Sequence, residues 1–303
     1  RNGYFRSPAI CAAISAVDVA LWDIAGKYFG APTYALMGGR HRDRIRMCAL
    51  CMSGYKDEAV RTVEEAVKTG HTAVKIDPFP PEYANWTMSR LKKEVTEHVG
   101  AVRETVGPDV DVCVEAHRKL GPSEAVAVAR QLEQFDILFL EDPVPPDSIE
   151  STAEVAKQLN VPVSTGERLH SIHEFKEVLN SGAARDLKLD VGLQGGLSQC
   201  KKIAGMAESY HATISPHNAR SPVLTAGHVQ LATAIPNFLV LEYRPDPKDD
   251  VVKQPLQVKD GYIEVPDLPG IGVELDEVRA RAYTYSSSEV VTLTRNDGSV
   301  GFR

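Results

Sequence analysis

Glu115, Glu141 and Glu167 follow one another at a constant interval of 26 residues, each at the close of a short apolar run: 110–114, 137–140 and 161–165. Each run is followed by a turn and an amphipathic stretch. Read as successive βα units, they would deliver one carboxylate apiece to the same end of a parallel sheet, which in a (β/α)8 barrel is the end that carries the active site. Carboxylate oxygens are hard donors that suit Mg2+ or Mn2+ better than Zn2+. His117 lies two positions after Glu115, so in an extended strand end the two side chains share one side. Asp190 ends a sixth strand pattern, and His217 ends a seventh within Ile214-Ser-Pro-His-Asn218. A carboxylate on one imidazole nitrogen fixes the tautomer and raises basicity, leaving the other nitrogen to take a proton. Asp190 and His217 are therefore a candidate dyad. Glu242 follows the eighth strand pattern, and Lys75 and Asp77 stand at the end of the second; these three are the candidate substrate-binding groups.

Singly, a glutamate at a loop start is usually solvated, and it is the shared position after three consecutive strand patterns that marks these three. The other histidines (His41, His71, His98, His170, His173, His211 and His228) read as surface or packing residues. Cys48 and Cys51 form a CxxC, but it sits inside a strand-like run at 45–52 with no second pair to complete a zinc site.

The elements that must position these groups follow from periodicity. Ile10, Ile14, Val17, Leu21 and Ile24 recur at helical spacing, and Gly30 is a stop signal, so 7–28 reads as one long helix with a broad apolar face. It precedes the first strand, so it belongs to an accessory element packed on the main domain. Strand patterns then fall at 45–52, 73–76 and 110–114, and after 137–140 and 161–165 at 186–189, 212–215 and 238–241. Helical patterns between them include 83–106, 197–209 and 222–234. Eight strands alternating with helices at about 25-residue intervals predict an α/β fold, a (β/α)8 TIM-type barrel. An open doubly wound sheet would usually carry a Gly-rich phosphate loop, and no GxGxxG or GxxxxGK[ST] occurs. The predicted organisation is 1–44, the last part of an α+β capping domain; 45–245, the barrel; and 246–303, a Pro/Asp-rich segment returning to the capping region.

The 303 residues are 43% hydrophobic and 25% charged, an ordinary globular balance. A formal charge of −7 without a basic cluster argues against nucleic acid or an anionic membrane as partner, and for a small molecule. No apolar run reaches the roughly 18 residues of a membrane span, no signal peptide opens the chain, and the five scattered cysteines fit reduced thiols. The expectation is a cytoplasmic protein.

Together, Ala13-Ile-Ser-Ala-Val-Asp-Val-Ala-Leu-Trp-Asp-Ile-Ala-Gly-Lys27, Val114-Glu-Ala-His-Arg-Lys-Leu120, Glu141-Asp-Pro143, Gly166-Glu-Arg168, Leu189-Asp190 with Gly195-Gly196, and Ser215-Pro-His-Asn218 resemble the enolase superfamily, mandelate racemase subgroup, in its sugar-acid dehydratase branch. The resemblance covers nearly the whole chain. It implies Mg2+ (or Mn2+) held by Glu115, Glu141 and Glu167, proton removal next to a sugar-acid carboxylate by His217 paired with Asp190, and protonation of the leaving 3-hydroxyl by His117. The implied product is a 2-keto-3-deoxy acid formed from an aldonate of the galactonate kind. Two departures stand out. The third-strand ligand of the family is commonly Asp where this chain has Glu115, and the chain begins near the last helices of the capping domain, so the N-terminal part of that domain is expected to be missing. Lys75-Ile-Asp77 is not the paired-base motif of a racemase, which favours dehydration. Epimerisation or cycloisomerisation through the same enolate is the first alternative, and a non-catalytic barrel kept as a binding module is the second. A homo-oligomer is the expected assembly.

Overall fold

The computed structural model describes residues 7–218, 221–244, 249–283 and 293–300. Part of the Pro/Asp-rich turn at 246–250 and of the last segment lies outside them. The chain opens with helices α1 (Pro8–Phe29) and α2 (Thr33–Leu36). Strand and helix then alternate in strict order: β1 (Arg44–Leu50), α3 (Lys56–Lys68), β2 (Ala73–Ile76), α4 (Met88–Val106), β3 (Asp111–Glu115), α5 (Pro122–Leu132), β4 (Phe139–Glu141), α6 (Ile149–Lys157), β5 (Val163–Thr165), α7 (Ile172–Ser181), β6 (Asp186–Leu187), α8 (Gly196–Glu208), β7 (Thr213–Ile214), α9 (Pro222–Ala234) and β8 (Leu241–Tyr243). Short strands β9 (Val258–Lys259) and β10 (Tyr262–Glu264) and helix α10 (Glu277–Ala282) follow. The chain divides into two compact units: the described parts of Arg1–Met47, Gly166–Glu177 and Leu187–Tyr285 form the first, and those of Cys48–Thr165, Val178–Asp186 and Ser286–Arg303 the second.

The second unit is a parallel sheet with helices packed on it. Cys48 pairs with Ala73, Lys75 with Cys113, Glu115 with Glu141, and Glu141 with Ser164, all in parallel register. Val74, Ile76, Val112, Val114 and Leu140 join Val95, Val99, Val102, Ala125, Val128 and Leu132 in one buried cluster. The β-branched residues suit a pleated strand surface, and burial of the apolar helix faces drives their docking. The predicted helix over 83–106 is broken here. A 3-10 turn at Pro81–Asn85 ends in an extended Trp86, and the Thr87 side chain accepts the Arg90 N–H, so α4 starts afresh at Met88. β5 starts two residues later than its apolar run, because Pro162 has no N–H to donate to a ladder, although its carbonyl still accepts from Leu140 N.

In the first unit, the start of β1 pairs antiparallel with β10 (Arg44 with Glu264), and β10 with β9. Ser215 N and His217 N donate to Leu187 O and Leu189 O, laying 213–217 along 187–190. The C-terminal segment lies on α1 and α2: Ile271 N donates to Asp23, Thr33 N to Gly270 O, and Lys27 reaches Glu274 at 2.8 Å.

Helix α1 is packed by its polar side, which the periodicity did not anticipate. Ser15 Oγ accepts from Gly195 N, Asp18 Oδ2 from Ser198 N, and Trp22 Nε1 donates to Ser198 Oγ. Ser15 and Asp18 thereby satisfy donors at the start of α8 that have no partner inside the helix, and Asp18 adds the negative charge that a helix N-terminus favours. The stripe of Ile14, Val17, Leu21 and Ile24 is instead 56–62% exposed. By length and hydropathy alone α1 also meets the criteria for a membrane span, although Asp18, Asp23 and Lys27 interrupt its apolar sequence. Its bonded Ser15, Asp18, Trp22 and Asp23 are what a helix packed on protein shows.

Asp18→Ala should therefore destabilise the first unit by about 1–2 kcal/mol through loss of the α8 cap. Urea denaturation measures this, and an unchanged midpoint would show that the contact contributes nothing.

Candidate functional site

In the second unit the parallel register sets Glu115 and Glu141 directly side by side, facing the same way and fully buried. Lys75 lies in register with Cys113, two residues before Glu115, so its side chain points to that face and extends one layer along the strands. Its Nζ lies 2.7 Å from Glu115 Oε2 and 2.7 Å from Glu141 Oε2. Carboxylates at this spacing repel where burial removes the water that would screen them, and the shared ammonium lies where it offsets that repulsion.

The turn after β3 holds the first histidine. The strand ends at Glu115, and His117 and Arg118 adopt left-handed conformations (φ 48° and 63°), so His117 is not part of an extended strand as its spacing implied. Its N–H donates to Glu115 Oε1 at 2.7 Å, and its Nδ1 lies 2.6 Å from Asp77 Oδ2. Lys119 also contacts Asp77. Burial alone lowers the His117 pKa, but the Glu115 charge and the Asp77 bond outweigh it and raise it. Burial raises Asp77, and the hydrogen bond from His117 with the Lys119 charge brings it below its usual range. The pair therefore favours a protonated imidazole with Nε2–H outward of the Asp77 bond. Arg118 reaches Asp142 Oδ2 at 3.1 Å and Thr165 Oγ1 donates to Asp142 Oδ1 at 2.5 Å, which ties the turns after β3 and β4 to the end of β5.

The first unit holds the second histidine. His217 Nδ1 lies 2.8 Å from Asp190 Oδ2, and its Nε2 lies 3.4 Å from Glu167 Oε2. Burial lowers its pKa, but the Asp190 hydrogen bond and the charges of Glu242, Glu167 and Asp190 win and push it up to about 9. Each of those carboxylates that is neutralised returns the imidazole toward its ordinary value. Glu242 is buried, accepting from Lys188 Nζ at 3.0 Å and from Asn218 N at 3.1 Å.

Each sequence-predicted residue can now be placed. Asp190 and His217 meet as a dyad. Glu115 and Glu141 meet each other across Lys75, while Glu167 belongs to the other unit, beside His217. No group of three metal-capable side chains comes together among the described residues. The predicted substrate-binding groups have protein partners: Lys75 the two glutamates, Asp77 His117, and Glu242 Lys188. Sequence reasoning passed over Lys119, Arg118, Lys188, Gln194 and His228. Lys188-Leu-Asp190 repeats the spacing of Lys75-Ile-Asp77 and was open to the same argument. His228, read as a packing residue, is fully buried, and its Nε2 accepts the Val191 N–H at 3.1 Å, next to Asp190. Burial holds its pKa down to about 4, so it is neutral.

Comparison with known proteins settles the family. The Enolase C-terminal domain-like family matches residues 58–279, and the mandelate racemase/muconate lactonizing enzyme N-terminal domain family matches residues 3–38. The chain belongs to the enolase superfamily. It is 34% identical over 299 residues to the D-gluconate dehydratase of Thermoproteus tenax, covering 96% of this chain and 60% of that protein. It is 33% identical to the D-xylonate dehydratase of Haloferax volcanii, over 89% of this chain and 69% of that one. Among solved structures, a mandelate racemase/muconate lactonizing enzyme from Sulfitobacter gives a TM-score of 0.89 at 33% identity, over 95% of this chain and 77% of that one. An enolase from Agrobacterium radiobacter, a candidate galactarate dehydratase with sodium and L-malate bound, gives 0.91 at 31%, over 97% and 79%. The barrel with a capping domain expected from the sequence is the architecture of these superfamily neighbours, and this chain spans 60% of the length of the Thermoproteus relative.

Two outcomes follow for the charged groups. Lys75→Met leaves two buried carboxylates without their shared cation and should cost about 3–5 kcal/mol in metal-free buffer; equal stability by denaturant titration would refute the pairing. Asp190→Asn removes the leading bond that raises His217, so its titration midpoint should fall by about one unit or more. An NMR pH titration of the His217 ring protons reads this, and a midpoint still near 9 would mean that other charges set it.

Proposed function

We propose that this enolase-superfamily chain encodes a Mg2+-dependent acid-sugar dehydratase that converts an aldonate, of the gluconate or galactonate kind, to a 2-keto-3-deoxy acid through an enediolate. The observation that carries the proposal is the pair of histidines whose Nδ1 atoms each face a carboxylate, at 2.6 Å for His117 and 2.8 Å for His217. Elimination of water from a hydroxy acid needs one group to take the proton beside the carboxylate and another to give a proton to the departing hydroxyl. With Nδ1 engaged in both rings, each Nε2 is the atom for that exchange. The dehydratase names of the relatives support the same class.

In donor chemistry the proposed ligands suit the cation that the superfamily implies. Glu115, Glu141 and Glu167 offer oxygen donors only, the set that suits a hard divalent ion, and they are the proposed ligands. When bound, Mg2+ supplies positive charge against the negative charge that develops on the substrate carboxylate. His217 Nε2 takes the proton from the carbon next to that carboxylate, with Asp190 holding the ring and stabilising its charged form. His117 Nε2–H passes its proton to the 3-hydroxyl, which departs as water. Asp77 and Lys119 set the orientation and charge of that acid, and Lys188 does the same for Glu242 beside the base. A small-molecule acid as partner, a cytoplasmic location and a homo-oligomeric assembly belong to the same proposal, without nucleic acid or membrane.

The test is a panel of galactonate, gluconate, mannonate and arabinonate with Mg2+, scored for 2-keto-3-deoxy product. Turnover should vanish with EDTA and fall by roughly 10²–10⁴-fold in His217→Asn. Product formation that survives EDTA would sink the proposal. Turnover of an acid sugar without loss of water, undiminished in His117→Asn, would replace it with epimerisation.

A further inference from the structure

The loop that carries Glu167 and the loop that carries Asp190 are joined by one buried side chain. Gln194 is fully buried, and its Oε1 accepts the Asp190 N–H at 2.9 Å while its Nε2 donates to Gly166 O at 2.8 Å. The amide thus bonds the residue that orients the base and the residue just before a proposed metal ligand. Both attachments are to backbone, so they fix where the loops stand and not only where a side chain points. Gly166 leaves little slack: its φ is 144°, and a Cβ there would meet Phe175 Cε1 at 2.8 Å and Lys188 O at 2.9 Å. Gln194 itself is held from behind, since Gly195 N donates to Ser15 Oγ at 2.9 Å and Gly196 leaves no room for a Cβ against Asp18.

We infer that Gln194 is a positioning residue that keeps Asp190 and Glu167 in register on either side of His217. The inference rests on the proposed roles of those three residues. His217 makes both contacts, at 2.8 Å to Asp190 and 3.4 Å to Glu167, so an uncoupled shift of either loop changes the direction in which Nε2 points. A buried amide with both ends satisfied is costly to replace by anything that satisfies only one, because the freed backbone group has no water to turn to. Nothing in the reaction asks Gln194 to touch substrate or metal.

The experiment compares Gln194→Met, of similar volume but unable to make either bond, with Gln230→Met. Gln230 makes an equivalent buried clamp elsewhere in the same unit, accepting from Tyr34 N at 2.8 Å and donating to Ile271 O at 3.0 Å. Both variants should lose comparable thermal stability. Only Gln194→Met should broaden or abolish the downfield His217 Nδ1–H resonance, and only it should weaken Mg2+ binding by calorimetry, by about 10–100-fold. With an active substrate, kcat should fall in the same range while KM stays near the wild-type value. Gln194→Asn, which keeps the amide but cannot span both loops, should move every readout in the same direction and serves if the Met variant does not fold. An unchanged His217 resonance and Mg2+ affinity in a folded Gln194 variant would overturn the inference. So would equal effects from Gln230→Met. The resonance and the metal titration need no substrate, so a wild-type protein silent on the sugar panel would count against the proposed reaction while leaving this inference to be decided.

Discussion

A carboxylate without water must find positive charge or donors within a few ångströms, and this chain buries several. Glu115 and Glu141 stand shoulder to shoulder because parallel pairing puts residues in register on the same face, and the sheet cannot form without bringing them together. Lys75 answers both from the neighbouring strand at 2.7 Å. The arrangement is compact, with two carboxylates sharing one ammonium. The same rule repeats in the other unit, where Lys188 answers Glu242 and His217 stands between Asp190 and Glu167. Charge pairing across strand ends is thus a condition for folding in both units.

The two histidines show how environment gives one residue type two characters. Both rings use Nδ1 against a carboxylate, so both are fixed in orientation. His117 lies in a tight left-handed turn between Glu115 and the Asp77–Lys119 pair, and Lys119 limits how far its proton affinity rises. His217 is raised by the Asp190 hydrogen bond and by the charges of Glu242, Glu167 and Asp190 against the opposing effect of burial, and reaches about 9. In the proposed roles an acid is best kept protonated and a base must lose its proton in each cycle, so His217 as base would depend on neutralisation of the charges near it. Glu167 is the one of those three that the proposed role places on a cation.

How much of this was readable from the sequence divides by the range of the interactions. The strand order and the meeting of Asp190 with His217 were legible because βα units repeat locally. The helix over 83–106 was misread in its first turn because Pro80, Pro81 and the Thr87 cap compete with a continuous apolar pattern. Lys75, Asp77 and Glu242 were marked as chemically significant, but their partners were out of reach. The bond from Lys75 to Glu141 spans 66 residues and that from Lys188 to Glu242 spans 54, and no local pattern specifies which carboxylate an ammonium will meet.

Helix α1 shows the converse limit. Its hydrophobic periodicity is strong and points to a face that stays exposed within this structure, whereas its sparse polar residues make the contacts. Ser15, Asp18 and Trp22 fall at helical spacing on the other side, and each is spent on the start of α8. That choice has a physical logic. A helix start that follows Gly195 and Gly196, both at positive φ, cannot be fixed by its own side chains, because glycine has none to cap with. The donors must be answered from outside, and α1 is the element that answers them. Through Gly195 the same helix braces Gln194, and through Gln194 the turn that carries Asp190. Ser15-Ala-Val-Asp18 on α1 is therefore connected to His217, the proposed base, by three successive hydrogen-bonded steps: Ser15 to Gly195, Gln194 to Asp190, and Asp190 to His217.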